Sequence, residues 1–108
     1  MTDAVAVWQA TQPITHDEPL SDLALVASAK KADADAFSQL VLRHQHFVYN
    51  LAYRFMRDPA VAEDMAQEAF LKAFRLLNGF RCDCAFSTWL YRVTISVCLS
   101  ELERRKKR

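Results

Sequence analysis

Turn-forming residues are scarce in this chain, which holds one glycine and three prolines in 108 residues. A sheet protein of that length needs many tight turns, and tight turns rely on Gly, Pro, Asn and Asp. Alanine, the residue with the highest helix propensity, is abundant instead. The sequence therefore predicts an all-α protein of one domain, built as a compact three- to four-helix bundle.

Helix-capping residues indicate where the helices start. Ser21, Asp33 and Asp58 have side chains that accept hydrogen bonds from the free amides of a first helical turn. Pro59 suits the first helical position, and apolar residues recur at i, i+3 and i+4 intervals behind the caps. We expect helices over residues 21–31, 34–56, 59 to the stop at Asn78-Gly79, and from about 85–88 into the C-terminal tail.

The first twenty residues differ from the rest. Residues 1–20 show no sustained apolar period and contain Pro13 and Pro19, which predicts a flexible N-terminal extension before a domain over residues 21–108. The N-terminus lacks a signal-peptide pattern, and no apolar run is long enough to span a membrane. The odd number of cysteines, three, fits thiols that stay reduced. We therefore expect a cytoplasmic protein without membrane insertion.

Charge is distributed unevenly along the chain. The net charge is +1, yet the last five residues, Arg104 to Arg108, carry +5 and leave −4 on residues 1–103. An acidic body with a basic end can meet two kinds of partner, a basic or mixed protein surface and a polyanion. A solvated helix end, favoured by the helix dipole, explains the basic run equally well.

Residue patterns for catalysis are missing from the sequence. With a single glycine, the chain has no glycine-rich phosphate loop, and Ser87 and Ser96 have no obvious histidine and acid partners. The sequence thus predicts a protein that is not an enzyme and needs no cofactor.

The cysteines allow an alternative function. Cys82 and Cys84 form a C-x-C pair, and Cys98 follows on the next helix. Three thiolates can bind a soft metal such as zinc, with a histidine or water as the fourth ligand. The commoner C-x-x-C spacing is absent, and Cys98 also fits a small apolar residue of the bundle. A metal- or redox-sensing regulatory module is one alternative function, and an interaction bundle without nucleic-acid contact is another.

Three long blocks of the sequence resemble domain 2, regions 2.1 to 2.4, of bacterial sigma factors. They read "DADAFSQLVLRHQHFVYNLAYRFM", "DPAVAEDMAQEAFLKAFRLLNGFR" and "AFSTWLYRV". The resemblance covers about residues 21–107 and is to the extracytoplasmic function group (group 4) of the sigma-70 family. It implies a transcription initiation module that binds the clamp helices of the β′ subunit of RNA polymerase core. It also implies recognition and melting of the promoter −10 element, with a flipped base of the non-template strand held by the protein, and an anti-sigma factor as a further partner.

The resemblance also implies site residues. The "EDMAQEAFLKAF" block carries the polymerase contact in the family, which here gives Asp64, Gln67 and Glu68. Strand opening needs aromatic rings for stacking and basic groups for phosphates. The positions expected at the DNA are Lys72, Phe80, Arg81, Asp83, Tyr91, Arg92, Ser96 and Ser100. Trp89, a large indole at a helix start, is expected in the core.

The sequence departs from the family at several positions. Relatives commonly read Phe-Arg-Gly-Asp-Ser in this loop, whereas this chain has Cys82 in place of the glycine and Cys84 in place of the serine. Glycine adopts a positive φ at little cost and cysteine does not, so we expect a different loop backbone. Serines at 96 and 100 replace asparagines, which read adenine more selectively, so the −10 preference is expected to differ.

The helix-turn-helix domain that reads the −35 element is not in the sequence. We therefore expect a fragment of a longer protein, ending at the start of a linker and binding promoter DNA weakly without polymerase.

Overall fold

Four α-helices form the part of the protein that the computed structural model describes, residues 20–108. They are α1 (Asp22–Lys30), α2 (Ala34–Met56), α3 (Pro59–Leu76) and α4 (Phe86–Lys106), and a 3₁₀ turn, Leu77–Gly79, follows α3. This range contains no strand, which confirms the prediction of an all-α bundle. Each helix in it is too short or too polar to cross a bilayer. The extension predicted over residues 1–20 lies, except for Leu20, outside the described residues.

Side-chain caps begin the first three helices as the sequence predicts. Asp33 Oδ1 accepts hydrogen bonds from the backbone amides of Asp35 and Ala36 at 3.1 and 3.3 Å. The side chains of Ser21 and Asp58 likewise accept hydrogen bonds from backbone amides at the starts of α1 and α3. Each cap satisfies amides that have no partner within the helix, and this fixes where the helix begins.

The core lies where α2 crosses the other helices. Leu40 and Val48 of α2 are fully buried against Leu25 of α1 and Leu90 of α4. Four apolar residues recur at helical intervals in α4 and are all buried, namely Phe86, Leu90, Val93 and Val97. The i, i+3, i+4 pattern in the sequence therefore identified the packed face of each long helix.

Thr94 is a polar residue of α4 that lies in the core. Its side chain is fully buried. Its hydroxyl donates to the carbonyl oxygen of Leu90 at 2.8 Å. Because that bond satisfies the hydroxyl within its own helix, the threonine packs in the core without an unpaired polar group.

A charged pair of contacts joins α1 to α2. Asp22 accepts hydrogen bonds from Arg43 Nη1 and pairs with His44 Nε2, each at 2.9 Å. The His44 ring lies 5.4 Å from the ring of Phe86 at the start of α4. One carboxylate thus connects the short first helix to the long second helix beside the junction with the fourth.

Replacing the cap of α3 tests this account of the helix starts. Asp58→Ala removes the acceptor for two backbone amides, and we expect the free energy of unfolding to fall by about 1 kcal/mol. Urea unfolding followed by circular dichroism measures the change. Glu63→Ala on the exposed face of the same helix is the control, and it should stay within about 0.5 kcal/mol of the wild type. Equal losses in both variants would contradict the capping role.

Candidate functional site

An exposed polar face runs along α3. Asp64, Gln67 and Glu68 are all exposed, and their i, i+3 and i+4 spacing places them on one side of the helix. The opposite side carries Ala62, Ala69 and Ala73, which are fully buried, as well as Leu77 at the start of the 3₁₀ turn. The structure therefore brings together the three residues expected at the polymerase, on a surface that a protein partner can reach.

A groove between α3 and α4 is lined by two of the residues expected at the DNA, Lys72 and Ser100, and Lys72 bonds to a third, Ser96. Lys72 Nζ donates to Ser96 Oγ at 3.0 Å, and Ser96 Oγ donates to the carbonyl oxygen of Val93 at 2.8 Å. Ser100 lines the same groove, which has a volume of about 460 Å³. The hydroxyl of Ser96 already donates its one hydrogen bond within its own helix, so it can only accept further hydrogen bonds. Lys72 donates one of these.

Four charged residues that are not among those expected at the DNA also line this groove. They are Arg75, Arg104, Glu68 and Glu101. Glu101 is only 7% exposed and accepts hydrogen bonds from the guanidinium groups of Arg104 and, at 2.8 Å, Arg105. Part of the basic tail is thus neutralised by a buried carboxylate. The i, i+3 and i, i+4 spacing of these residues in the sequence is the signal that predicts such pairs.

Tyr91 belongs to an exposed aromatic pair. Its ring stacks with that of Phe47 from α2, with centroids 6.3 Å apart and planes at 28°, and the two residues are 44% and 39% exposed. Phe47 was not among the residues predicted for the site. Its position outside the apolar stripe of α2 is the sequence signal that predicts a surface aromatic. Arg92 is exposed, and helical spacing puts it on the same side of α4 as Ser96 and Ser100.

Phe80 lies in the core and not on the surface. It is 2% exposed, and its ring lies 4.9 Å from Trp89 and 6.1 Å from Phe86. Lys30 Nζ of α1 donates to its carbonyl oxygen at 2.5 Å. Its ring is therefore covered, which corrects the expectation that it offers a stacking surface to DNA. Trp89 is half-buried against the same core, and its expected packing role is confirmed.

The loop between the 3₁₀ turn and α4 contains a residue in the left-handed region. Cys82 has φ of 60°, although a side chain costs about 1–2 kcal/mol in that region. Cysteine therefore adopts a positive φ at this position, and the expectation that such a φ is too costly for cysteine is corrected. The neighbouring Arg81 and Asp83, both expected at the DNA, are exposed on this loop.

The three cysteines do not converge. Cys82 is exposed and Cys84 is partly buried against the main core, whereas Cys98 is buried in a separate cluster with Ala52 and Met56. Burial raises the pKa of the Cys98 thiol and so disfavours the thiolate that binds metals. No three His, Cys, Asp or Glu side chains from residues 20–108 are grouped closely enough to hold a metal ion. The three-cysteine metal site allowed by the sequence is therefore wrong.

Comparison with protein families gives one match over most of the described chain. The family model for sigma-70 region 2 matches residues 40–108. The RNA polymerase sigma-H factor of Pseudomonas aeruginosa is 46% identical over 87 residues, which make up 81% of this chain and 45% of that protein. The ECF RNA polymerase sigma-E factor of Escherichia coli K12 is 43% identical over 91 residues, 84% of this chain and 47% of that protein. The chain thus spans about half the length of the curated relatives it matches.

Two solved structures share the fold. An NMR structure of an engineered region 2 of sigmaE in complex with GTAAAA has a TM-score of 0.80 at 37% identity, covering 88% of this chain and 97% of that one. CnrH in complex with the cytosolic domain of CnrY has a TM-score of 0.68 at 30% identity, covering 73% of this chain and 51% of that one. The helical arrangement described above is therefore also found in a DNA-bound and in a protein-bound relative.

The left-handed cysteine leads to a stability prediction. Cys82→Gly relieves the strained φ, at the cost of a more flexible unfolded chain, and we expect the free energy of unfolding to rise by about 0.5–1 kcal/mol. Asp83→Gly is the matched control, because Asp83 does not have positive φ and should lose about 0.5–1 kcal/mol. Thermal or urea unfolding under reducing conditions measures both. Destabilisation by Cys82→Gly would show that cysteine is preferred there for another reason.

Proposed function

Because this chain belongs to the sigma-70 region 2 family, we propose that residues 21–108 form a transcription initiation module. The module binds RNA polymerase core and recognises and melts the promoter −10 element. The observation that carries the proposal is the arrangement of two different surfaces on adjacent helices. An acidic and amide face lies on α3, and aromatic and basic groups lie along α4 and its preceding loop.

Asp64, Gln67 and Glu68 form the polymerase-binding face of the proposal. Their exposed carboxylate and amide groups suit a basic coiled coil such as the clamp helices of the β′ subunit. Charged groups at the edge of such an interface speed association and select the partner, and those that become buried affect dissociation. Since the buried alanines of α3 pack against the rest of the bundle, the face is held on a rigid helix.

DNA recognition is assigned to α4 and the loop over residues 80–85. An unpaired base leaves the stack at a cost of a few kcal/mol, which aromatic stacking can offset at about 1–3 kcal/mol per base. The exposed pair of Tyr91 and Phe47 offers such a surface, and Arg92 can hold a phosphate. Arg81 and Asp83 present a donor and an acceptor on the loop. The buried Phe80 supports that loop from beneath.

Sequence preference at the −10 element is assigned chiefly to Ser100 and the loop. Ser96 already accepts from Lys72 and donates within its own helix, whereas Ser100 is exposed in the groove. A serine hydroxyl can donate to or accept from several bases, and it is less selective than an asparagine amide for adenine. We therefore propose a −10 preference that is less strict at these positions than in relatives with asparagine.

The proposed partners set the cellular setting. A factor that works with RNA polymerase on promoter DNA acts in the cytoplasm and performs no catalytic step of its own. The relative CnrH is found in complex with the cytosolic domain of CnrY. By analogy, we propose that an anti-sigma factor covers the polymerase-binding and DNA-binding surfaces of this chain.

Charge reversal on α3 tests the polymerase contact. We expect the double variant Gln67→Lys and Glu68→Lys to bind core polymerase at least about ten-fold more weakly, because like charges then face the basic coiled coil. Titration of fluorescently labelled chain with core polymerase measures the affinity. Glu103→Lys, at an exposed site on α4, is the control and should bind as the wild type does. Undiminished binding of the double variant counts against the proposed face.

Substitutions on α4 test the DNA contact, using a single-stranded −10 oligonucleotide and the chain bound to core polymerase. Tyr91→Ala removes a stacking surface and should weaken binding about five-fold or more, without changing its salt dependence. Arg92→Ala removes a phosphate contact and should lower the salt slope of log affinity by about one. Leu99→Ala, 51% exposed on the same helix, is the control. If all three variants bind alike, the DNA surface lies elsewhere.

A further inference from the structure

A contact between distant segments holds one end of the recognition loop, residues 80–85. Lys30, the last residue of α1, donates from Nζ to the carbonyl oxygen of Phe80 at 2.5 Å. Its ammonium group also lies 6.0 Å from the centre of the Phe80 ring, within the range of a cation–π contact. Because the donor is charged, this hydrogen bond is stronger than one between neutral groups. The first helix is thus tied to a loop that lies 50 residues further along the chain.

The recognition loop has few other restraints. Phe80 and Cys84 pack against the main core, and residues 81–83 between them are exposed. Among the described residues, the backbone hydrogen bonds of the loop involve only its first and last residues, Phe80 and Ala85. Within the same part of the chain, Lys30 supplies the one side-chain hydrogen bond to the backbone of the loop. The exposed residues therefore depend on the two ends of the loop for their position.

The Phe80 carbonyl group controls how the chain enters this exposed part. Its oxygen belongs to the planar peptide unit that joins Phe80 to Arg81, so holding the oxygen sets the direction in which Arg81 leaves the core. Cys82, the next residue, has φ of 60°, and a residue in that region persists only where its surroundings hold it there. Loss of the hydrogen bond from Lys30 therefore frees the backbone that carries Arg81 and Asp83.

We infer that Lys30 is a positioning residue for base selection at the −10 element, and that it acts through the Phe80 carbonyl on the recognition loop. The inference rests on the proposed function and assigns part of its specificity to α1. Donors and acceptors on a loop read a base edge only at hydrogen-bond distance and angle, so a small backbone shift removes the discrimination. Phosphate contacts tolerate such a shift, because the attraction between charges falls off slowly with distance. Lys30 thus affects which base is bound more than how tightly the strand is held.

The test compares two neighbouring lysines that are replaced one at a time by methionine. Lys30→Met keeps much of the side-chain length but cannot donate, and Lys31→Met makes the same change in charge at the exposed residue that follows α1. Each chain is bound to core polymerase and titrated with labelled GTAAAA, the strand in the complex of the related region 2, and with every strand that differs from it at one base. Lys30→Met should lower the largest affinity ratio between bases about three-fold or more, with an unchanged salt slope. Lys31→Met should retain the wild-type ratios.

Two further measurements separate positioning from a purely structural role. The NMR order parameters of the amides of residues 81–84 should fall in Lys30→Met and not in Lys31→Met, and dispersed spectra show that both variants are folded. Lys30→Arg retains a charged donor and should keep most of the wild-type affinity ratio. Unchanged affinity ratios in Lys30→Met, or ratios that fall equally in Lys31→Met, overturn the inference while the proposed function stands. A wild-type chain that binds neither core polymerase nor any of the strands overturns both.

Discussion

The close packing of α3 against the rest of the bundle is the constraint on which the other features depend. Ala62, Ala69 and Ala73 are fully buried, and their small side chains let the helix axis approach its neighbours. A helix that is buried along such a narrow stripe leaves the rest of its circumference to solvent. The carboxylates of Glu68 and Asp64 occupy that surface, so the same packing that stabilises the fold also presents the proposed polymerase-binding face.

A second consequence of this packing is the groove shared with α4. Because α3 and α4 lie side by side, the long side chain of Lys72 reaches Ser96 across the gap. The proposed protein-binding and nucleic-acid-binding surfaces are thus adjacent on a single pair of helices. The buried Glu101 accepts hydrogen bonds from Arg104 and Arg105 at the end of α4, so part of the basic tail has a structural role.

Local rules in the sequence accounted for the helices, whereas the site residues followed from the family resemblance and stay predictions. Asp33 and Asp58 predicted the starts of α2 and α3 because capping depends on residues two or three positions away. Contacts between distant segments were beyond such rules. Phe80 looks like a surface aromatic in a loop, and only the meeting of α1 with the start of α4 covers its ring. Cys82 breaks the preference for glycine at positive φ, since the surrounding loop determines its backbone more strongly than its own propensity does.

The most direct test of the division between two surfaces is an NMR titration of the isotope-labelled chain. One ligand is a coiled-coil fragment comprising the β′ clamp helices, and the other is the single strand GTAAAA. The account predicts that the fragment shifts the amide signals around Asp64 and Gln67 of α3, and that the oligonucleotide shifts those of residues 81–83 and around Tyr91 and Ser100. Both ligands should shift the signals lining the shared groove. Shifts from both ligands confined to the same helix face, or shifts of neither region, would contradict it.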